Sequence, residues 1–166
     1  MPETGRPWRY NVSDIIEAID VDVPVRVAYD QWTQFEEFPQ FMDGIDAVYQ
    51  MDDRTLDWHA AVGGVTTRWR AKITEQLPDH RIAWESIDGA RNSGVVTFHR
   101  LDDARTRVTL QLGVEPEGTA ESIADALGLV RNRATGDLAR FKDFIEERGS
   151  ATGSWRGTID PPSSAS

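Results

Sequence analysis

"VDVPVRVAYDQWTQFEEFPQFMDGI", Val21 to Ile45, decides the fold. An apolar run, Ile15, Ile16, Ile19, Val21 and Val23, leads into it and predicts a strand over Asp14–Val23. Pro24 then suits the first turn of a helix, where a missing N–H costs nothing. Val25, Ala28, Tyr29 and Trp32 recur at i, i+3, i+4 and i+7, the spacing of one helical face. Pro39 ends or kinks that pattern. Phe35, Phe38 and Phe41 around it predict a second short helical piece. A plain amphipathic helix needs only Tyr29 and Trp32 on its inner face. The extra phenylalanines make sense if the chain turns at Pro39 and both short helices close one end of a larger apolar layer.

Downstream the texture changes. From Ala47 to Val114 apolar and polar residues alternate, with turn chemistry at 52–55, 63–64, 77–80, 88–93 and 101–106. Short strands at such spacing predict an antiparallel meander of about six strands. Gly118 and Thr119 then open a helical pattern to Arg148, with Ile123, Leu127, Val130, Ala134, Leu138, Phe141 and Ile145 in one stripe. The expected fold is α+β. A curled antiparallel sheet of about six to seven strands wraps a long C-terminal helix, and two short helices follow the first strand. The domain is expected over residues 14–148. Residues 1–13 and the Ser/Gly/Pro-rich 149–166 read as flexible ends, with Trp155 the one anchor.

Composition removes whole classes of function. A chain of 166 residues makes one domain with a real core. It has no cysteine, hence no disulfide, thiolate nucleophile or thiolate metal site. A net charge of −10 repels phosphate backbones and anionic lipid, so no nucleic-acid partner is expected. No run approaches the ~18 apolar residues of a membrane span, and "MPETGRPWRYNVSD" has no apolar core of a signal peptide. Membrane insertion is not expected and a cytoplasmic location is. His59, His80 and His99 lack metal-ligand spacing, and no phosphate-binding or dinucleotide glycine motif is present. No metal or cofactor is expected, and no oligomeric state is assigned.

The order of elements, together with "VDVPVRVAYDQWTQFEEFPQFMDGI", "ITEQLPDHRIAWES" and "SGVVTFHRLDDARTRVTL", resembles the START-like superfamily with its helix-grip fold. Within it the chain is most similar to the polyketide cyclase/dehydrase branch, near coenzyme-Q-binding relatives. The resemblance spans residues 14–148 and implies a deep apolar cavity for a small hydrophobic ligand. It does not fix an activity, since members cyclise or dehydrate polyketides or carry quinones and lipids. The aromatic-polyketide cyclases of this family carry a tyrosine shortly after the second short helix and an arginine deeper in the pocket. Aligned on Pro24 and Pro39, this chain has Ile45 at the tyrosine position.

Strand parity locates the expected lumen, because side chains alternate between faces. Trp58, Trp69, Ala71, Ile73, Trp84, Ser86, Val96 and Phe98 fall on the inner parity; Arg68, Arg70, Lys72, Glu85 and Arg107 fall on the outer. Turn centres pair Trp58 with Trp69, Ile73 with Trp84, Trp84 with Phe98, and Phe98 with Leu110. A row of Leu56, Ala71, Ser86, Val96 and Leu112 lies between those levels. The small residues Ala71 and Ser86 place a cavity above them. Trp84 and Phe98 bound it at one end, and Trp58 and Trp69 at the other. Leu127, Val130 and Ala134 form its roof; Trp32, Phe38 and Phe41 seal it. Flat indole faces suit a polycyclic or quinone-like ligand.

Chemistry in such a lumen needs a proton donor or acceptor. The candidates by parity and position are Tyr29, Ser86 and Arg100. Two functions follow. One is a polyketide cyclase/dehydratase-like enzyme that holds a reactive chain in a folded conformer. The other is a carrier of a lipid or quinone, or a chaperone-type binding protein, without turnover.

Overall fold

The expected first strand forms as β1 (Ser13–Val21), and Pro24 hands the chain to α1 (Val25–Trp32). The Pro24 carbonyl accepts from the N–H groups of Val27 (3.0 Å) and Ala28 (3.1 Å), so the proline opens the helix without itself needing a donor. A 3-10 helix, Phe35–Gln40, follows with Pro39 inside it. In the computed structural model, which describes residues 13–62, 64–89, 91–114 and 118–161, six more strands come next. They are β2 (Ile45–Gln50), β3 (Thr55–Val62), β4 (Val65–Leu77), β5 (Arg81–Gly89), β6 (Asn92–Asp102) and β7 (Arg105–Val114). All neighbours are antiparallel, in the order β1-β7-β6-β5-β4-β3-β2. The curled sheet and the long helix α2 (Ala120–Arg148) make a helix-grip α+β fold. At the β3–β4 tip Val62 pairs with Val65, and Gly64 takes a positive φ of 83°; its partner in the expected turn, Gly63, lies outside the described residues.

α2 begins where the sequence places it. The Thr119 side chain accepts from the Ser122 N–H at 3.2 Å, and Gly149 ends the helix at φ 70°, its N–H bonded to the Ile145 carbonyl at 2.8 Å. Only the C-terminal half is buried, through Ala134, Leu138, Phe141 and Ile145. That half is bolted to the end of β1: Lys142 donates to the Asp20 carbonyl (2.9 Å) and Glu146 accepts from the Asp22 N–H (2.6 Å). Ile123, Leu127 and Val130 in the other half are only half-buried. The helix thus grips at one end and overhangs the concave face at the other.

Register agrees with the sequence reading on one side of the sheet and departs from it on the other. Trp58 faces Trp69, Leu56 faces Ala71, Ala71 faces Ser86, and Ile73 faces Trp84. Trp84, however, faces Gly94 rather than Phe98; Val96 lies between Ile82 and Leu110, and Phe98 faces Val108. β5 and β6 stop pairing at Glu85↔Ser93, while β5 continues along β4 to Trp69↔Gly89. The hairpin therefore centres earlier than its turn residues suggest. An irregularity between Arg100 and Asp102 offsets β6 against β7 as well. Both offsets are even in effect, so the inward set is preserved while its partners change.

As far as it is described, the chain beyond Gly149 makes several contacts besides those of Trp155. It returns across α1 and the end of β4. The Thr152 N–H donates to Gln31 (2.9 Å), and the Trp155 N–H donates to Thr33 (3.1 Å). Arg156 pairs with Asp30 and Asp79 and lies 5.5 Å over the Tyr29 ring. Ile159, 2% exposed, exchanges backbone hydrogen bonds with Gln76 at 2.8 and 2.9 Å. Polar spacing hides these anchors in a segment whose composition reads as a linker. Residues 1–12 and 162–166 lie outside the described residues. Ile159→Ala is expected to cost about 2–4 kcal/mol, read as a lowered urea midpoint at unchanged slope. An unchanged midpoint would mean that this strap is no part of the cooperative unit.

Candidate functional site

The overhang of α2 leaves a cavity of about 450 Å³ against the concave face. That size suits a small organic ligand. Indoles dominate its wall. Trp58 and Trp69, opposite each other on β3 and β4, stack at 5.6 Å with planes 8° apart. Trp84 lies along β5 with its ring against Gly94: a Cβ built at that glycine would fall 2.3 Å from Cζ2 of the indole. Trp32, Phe35 and Phe38 close the end beneath α1 and the 3-10 helix, with Met42 and Ile45 beside them. Val130, Ala134 and Leu138 roof it, and Leu129, 67% exposed, stands at the mouth.

The polar part of the wall is small: Asn92 and Ser93 at the start of β6, and Arg133 and Asp137 on α2. Asp137 Oδ1 accepts from the Asp43 N–H (3.0 Å) and from Arg140. Its side chain is 14% exposed. Burial pushes the carboxyl above its ordinary value; Arg140 and the Asp43 N–H work in the opposite direction and do not overcome it. Oδ2 has no hydrogen-bond donor among the described residues. The carboxyl also ties α2 to the loop before β2, where Arg140 donates to the Phe41 carbonyl at 3.1 Å.

The structure brings together Trp32, Phe38, Trp58, Trp69, Trp84, Val130 and Ala134 of the expected ligand set. Four others lie elsewhere. Phe41 turns to α2, 5.2 Å from Phe141 and 5.5 Å from Phe144. Phe98, carried past the cavity by the true register, packs edge-on against Tyr29 at 5.4 Å. Ala71 is fully buried, but it is the longer neighbours Leu56, Trp69 and Ile73 that reach the wall. Leu127 is half-buried, one turn short of the roof formed by Val130 and Ala134.

None of the three residues chosen for chemistry reaches the cavity. Tyr29 is fully buried between Phe98 and Arg156, and burial pushes its phenol up to about 12, so it stays protonated at neutral pH. Ser86 spends its hydroxyl on the hairpin, accepting from the Asn92 N–H at 3.1 Å. Arg100 is 59% exposed and paired with Asp103. Sequence reasoning passed over Arg133 and Asp137. They flank the apolar stripe of α2, a position that ordinarily means solvent, and only the overhang of the helix turns them into wall. Gly94 carried a legible sign, an isolated glycine inside a strand, which marks close approach of another group.

The geometry can be set beside known proteins. A 17.2 kDa protein from the melC2-rnhH intergenic region of Streptomyces lincolnensis is 51% identical over 149 residues, 89% of this chain and 99% of the relative. A Deinococcus radiodurans protein of known structure is 26% identical, with a TM-score of 0.63, over 82% of this chain and 99% of its own. The Zhui aromatase/cyclase from Streptomyces sp. R1128 is 16% identical, with a TM-score of 0.73, over 87% of this chain and 99% of its own; at that identity the likeness is one of fold. The model of the family described as polyketide cyclase/dehydrase and lipid transport matches residues 21–143. That span runs from the end of β1 through the whole meander and most of α2, taking in every wall residue of the cavity. The chain therefore belongs to the polyketide cyclase/dehydrase and lipid transport family.

Proposed function

We propose that this protein binds a flat, apolar, oxygen-bearing ligand of polyketide or quinone type in the cavity and promotes its cyclisation or dehydration. One observation carries the reading: an indole-lined cavity of about 450 Å³ whose wall holds a carboxyl raised by burial. The indoles hold the rings, each well-placed aromatic pair adding about 0.5–1.5 kcal/mol. A folded chain held this way is already near its reactive conformer. In a dehydration, protonated Asp137 gives its proton to a leaving hydroxyl. The C–O bond breaks and water departs. The carboxylate then takes the proton from the neighbouring carbon as the double bond forms, which restores the acid. Family membership and the aromatase/cyclase likeness agree with this reading.

The working form of Asp137 is the protonated one. Turnover of a β-hydroxy ketone substrate is therefore expected to fall as pH rises through the raised pKa. Asp137→Asn should lower turnover about a hundredfold or more and remove that pH limb, while ligand binding, read by tryptophan quenching, persists. The asparagine can still accept from the Asp43 N–H, so the loop stays tied.

The second reading is a carrier of the same class of ligand, favoured by Ile45. It lines the wall, and by the resemblance aligned on Pro24 and Pro39 it takes the position of the cyclases' tyrosine, an apolar group in place of a phenol. Binding of naphthoquinones and hydroxylated anthraquinones with no turnover in wild-type protein would establish the carrier. Absence of quenching across the panel would remove both readings.

A further inference from the structure

Arg133 is unusual among the arginines near α2. Arg131 pairs with Glu17 at 3.6 Å and Arg140 pairs with Asp137. Arg133 lines the cavity, is half-buried, and among the described residues has no carboxylate within 4 Å of its guanidinium. It senses Asp137 only through space. Its seat is built: the guanidinium lies against Gly44, where a Cβ would come 2.2 Å from Nη1 and 2.9 Å from Cζ. Gly44 also has φ 85°, a conformation that favours glycine, and its carbonyl is held by the Ala61 N–H at 2.8 Å. The close approach fixes a cation at the edge of a mostly apolar wall.

A half-buried guanidinium with no carboxylate in ion-pair contact among the described residues keeps donors to offer a ligand in the cavity. Its planar fork of donors matches two oxygens of one acidic group. The whole-molecule charge of −10 gives an anion no attraction, so recognition of one has to be local. We propose that Arg133 reads an acidic oxygen group, and that the ligand is a flat apolar monoanion. Its rings lie among Trp58, Trp69 and Trp84, and its oxyanion lies at Arg133. This rests on the ligand-binding reading of the cavity and narrows it to one chemical class, carboxylate or acidic enol.

The test compares charged and neutral isosteres by tryptophan quenching: 2-naphthoate against its methyl ester, and 2-hydroxy-1,4-naphthoquinone, ionised at neutral pH, against its 2-methoxy ether. The wild type is expected to prefer at least one anion over its neutral partner by about tenfold or more. Which pair shows the preference separates carboxylate from enolate. Arg133→Met should abolish the preference while leaving neutral ligands within about twofold, and Arg133→Lys should keep part of it. Circular-dichroism melts check that both variants are folded. Equal affinities for anion and ether or ester in the wild type, or a preference that survives Arg133→Met, would overturn the role of Arg133 and leave the cavity reading standing. Quenching by none of the four would overturn both.

Discussion

Trp32→Ala is expected to cost about 3–5 kcal/mol and to leave the cavity open at its α1 end. Trp32 is 3% exposed and sits at the centre of the aromatic group around Pro39. Its ring contacts Phe38 at 5.2 Å, Phe41 at 5.9 Å and Phe141 at 5.4 Å, tying α1, the 3-10 helix and α2 to one side chain. It also forms part of the cavity wall. Truncation removes the largest side chain at that junction and three ring contacts together. Trp32→Phe should be far milder, within about 1.5 kcal/mol. It keeps a ring, and it removes an indole N–H that is buried without an acceptor among the described residues. Urea unfolding decides this: equal losses for Ala and Phe would show that ring contacts are not what holds the junction. The aromatic crowding in "YDQWTQFEEFPQFM" is thus a three-element joint, with one face turned to the cavity.

How much of this was legible follows from the kind of constraint each part obeys. Pro24, Thr119 and Gly149 act locally on the backbone, and the elements they bound fell where those residues place them, whereas Pro39 lies inside the 3-10 helix and α1 ends before it, at Trp32. Parity is equally local, so the inward indoles were found before any register was known. Register across β5 and β6 is not local. It depended on β5 leaving β6 after Glu85 to follow β4, a choice made by the whole sheet. Phe98 is set beside Trp84 only through that pairing and lies outside the wall; Ser86 keeps its expected partner Ala71, but its hydroxyl accepts from the Asn92 N–H and it too lies outside the wall. Arg133 and Asp137 were hidden for a different reason. Charged residues beside an apolar helical stripe read as solvent-facing, and nothing in a sequence period says that half of a helix will hang over a void. Arg156 and Ile159 were concealed by the Gly and Ser around them.

Gly94→Ala is expected to fill the cavity from within. A β-carbon there would lie 2.3, 2.7 and 2.8 Å from three ring atoms of Trp84, and real β-carbons do not approach so closely. No positive φ marks Gly94, so it is the ring contact that demands glycine. In an ordinary strand the change from glycine to alanine stabilises, since it removes an entropic penalty. Here the sign should reverse, at about 1–3 kcal/mol, because the indole is driven off the sheet. The space beside that indole is the cavity, so affinity for a three-ring ligand should fall about tenfold or more, with a smaller loss for a two-ring one. Trp84→Val removes the ring that the new methyl meets. The double substitution should therefore cost clearly less than the two single losses added together. Additive losses, or a Gly94→Ala protein at least as stable as the parent with unchanged affinity, would show that Trp84 does not depend on Gly94. Coupling would show instead that one absent methyl on β6 sets the depth of the cavity.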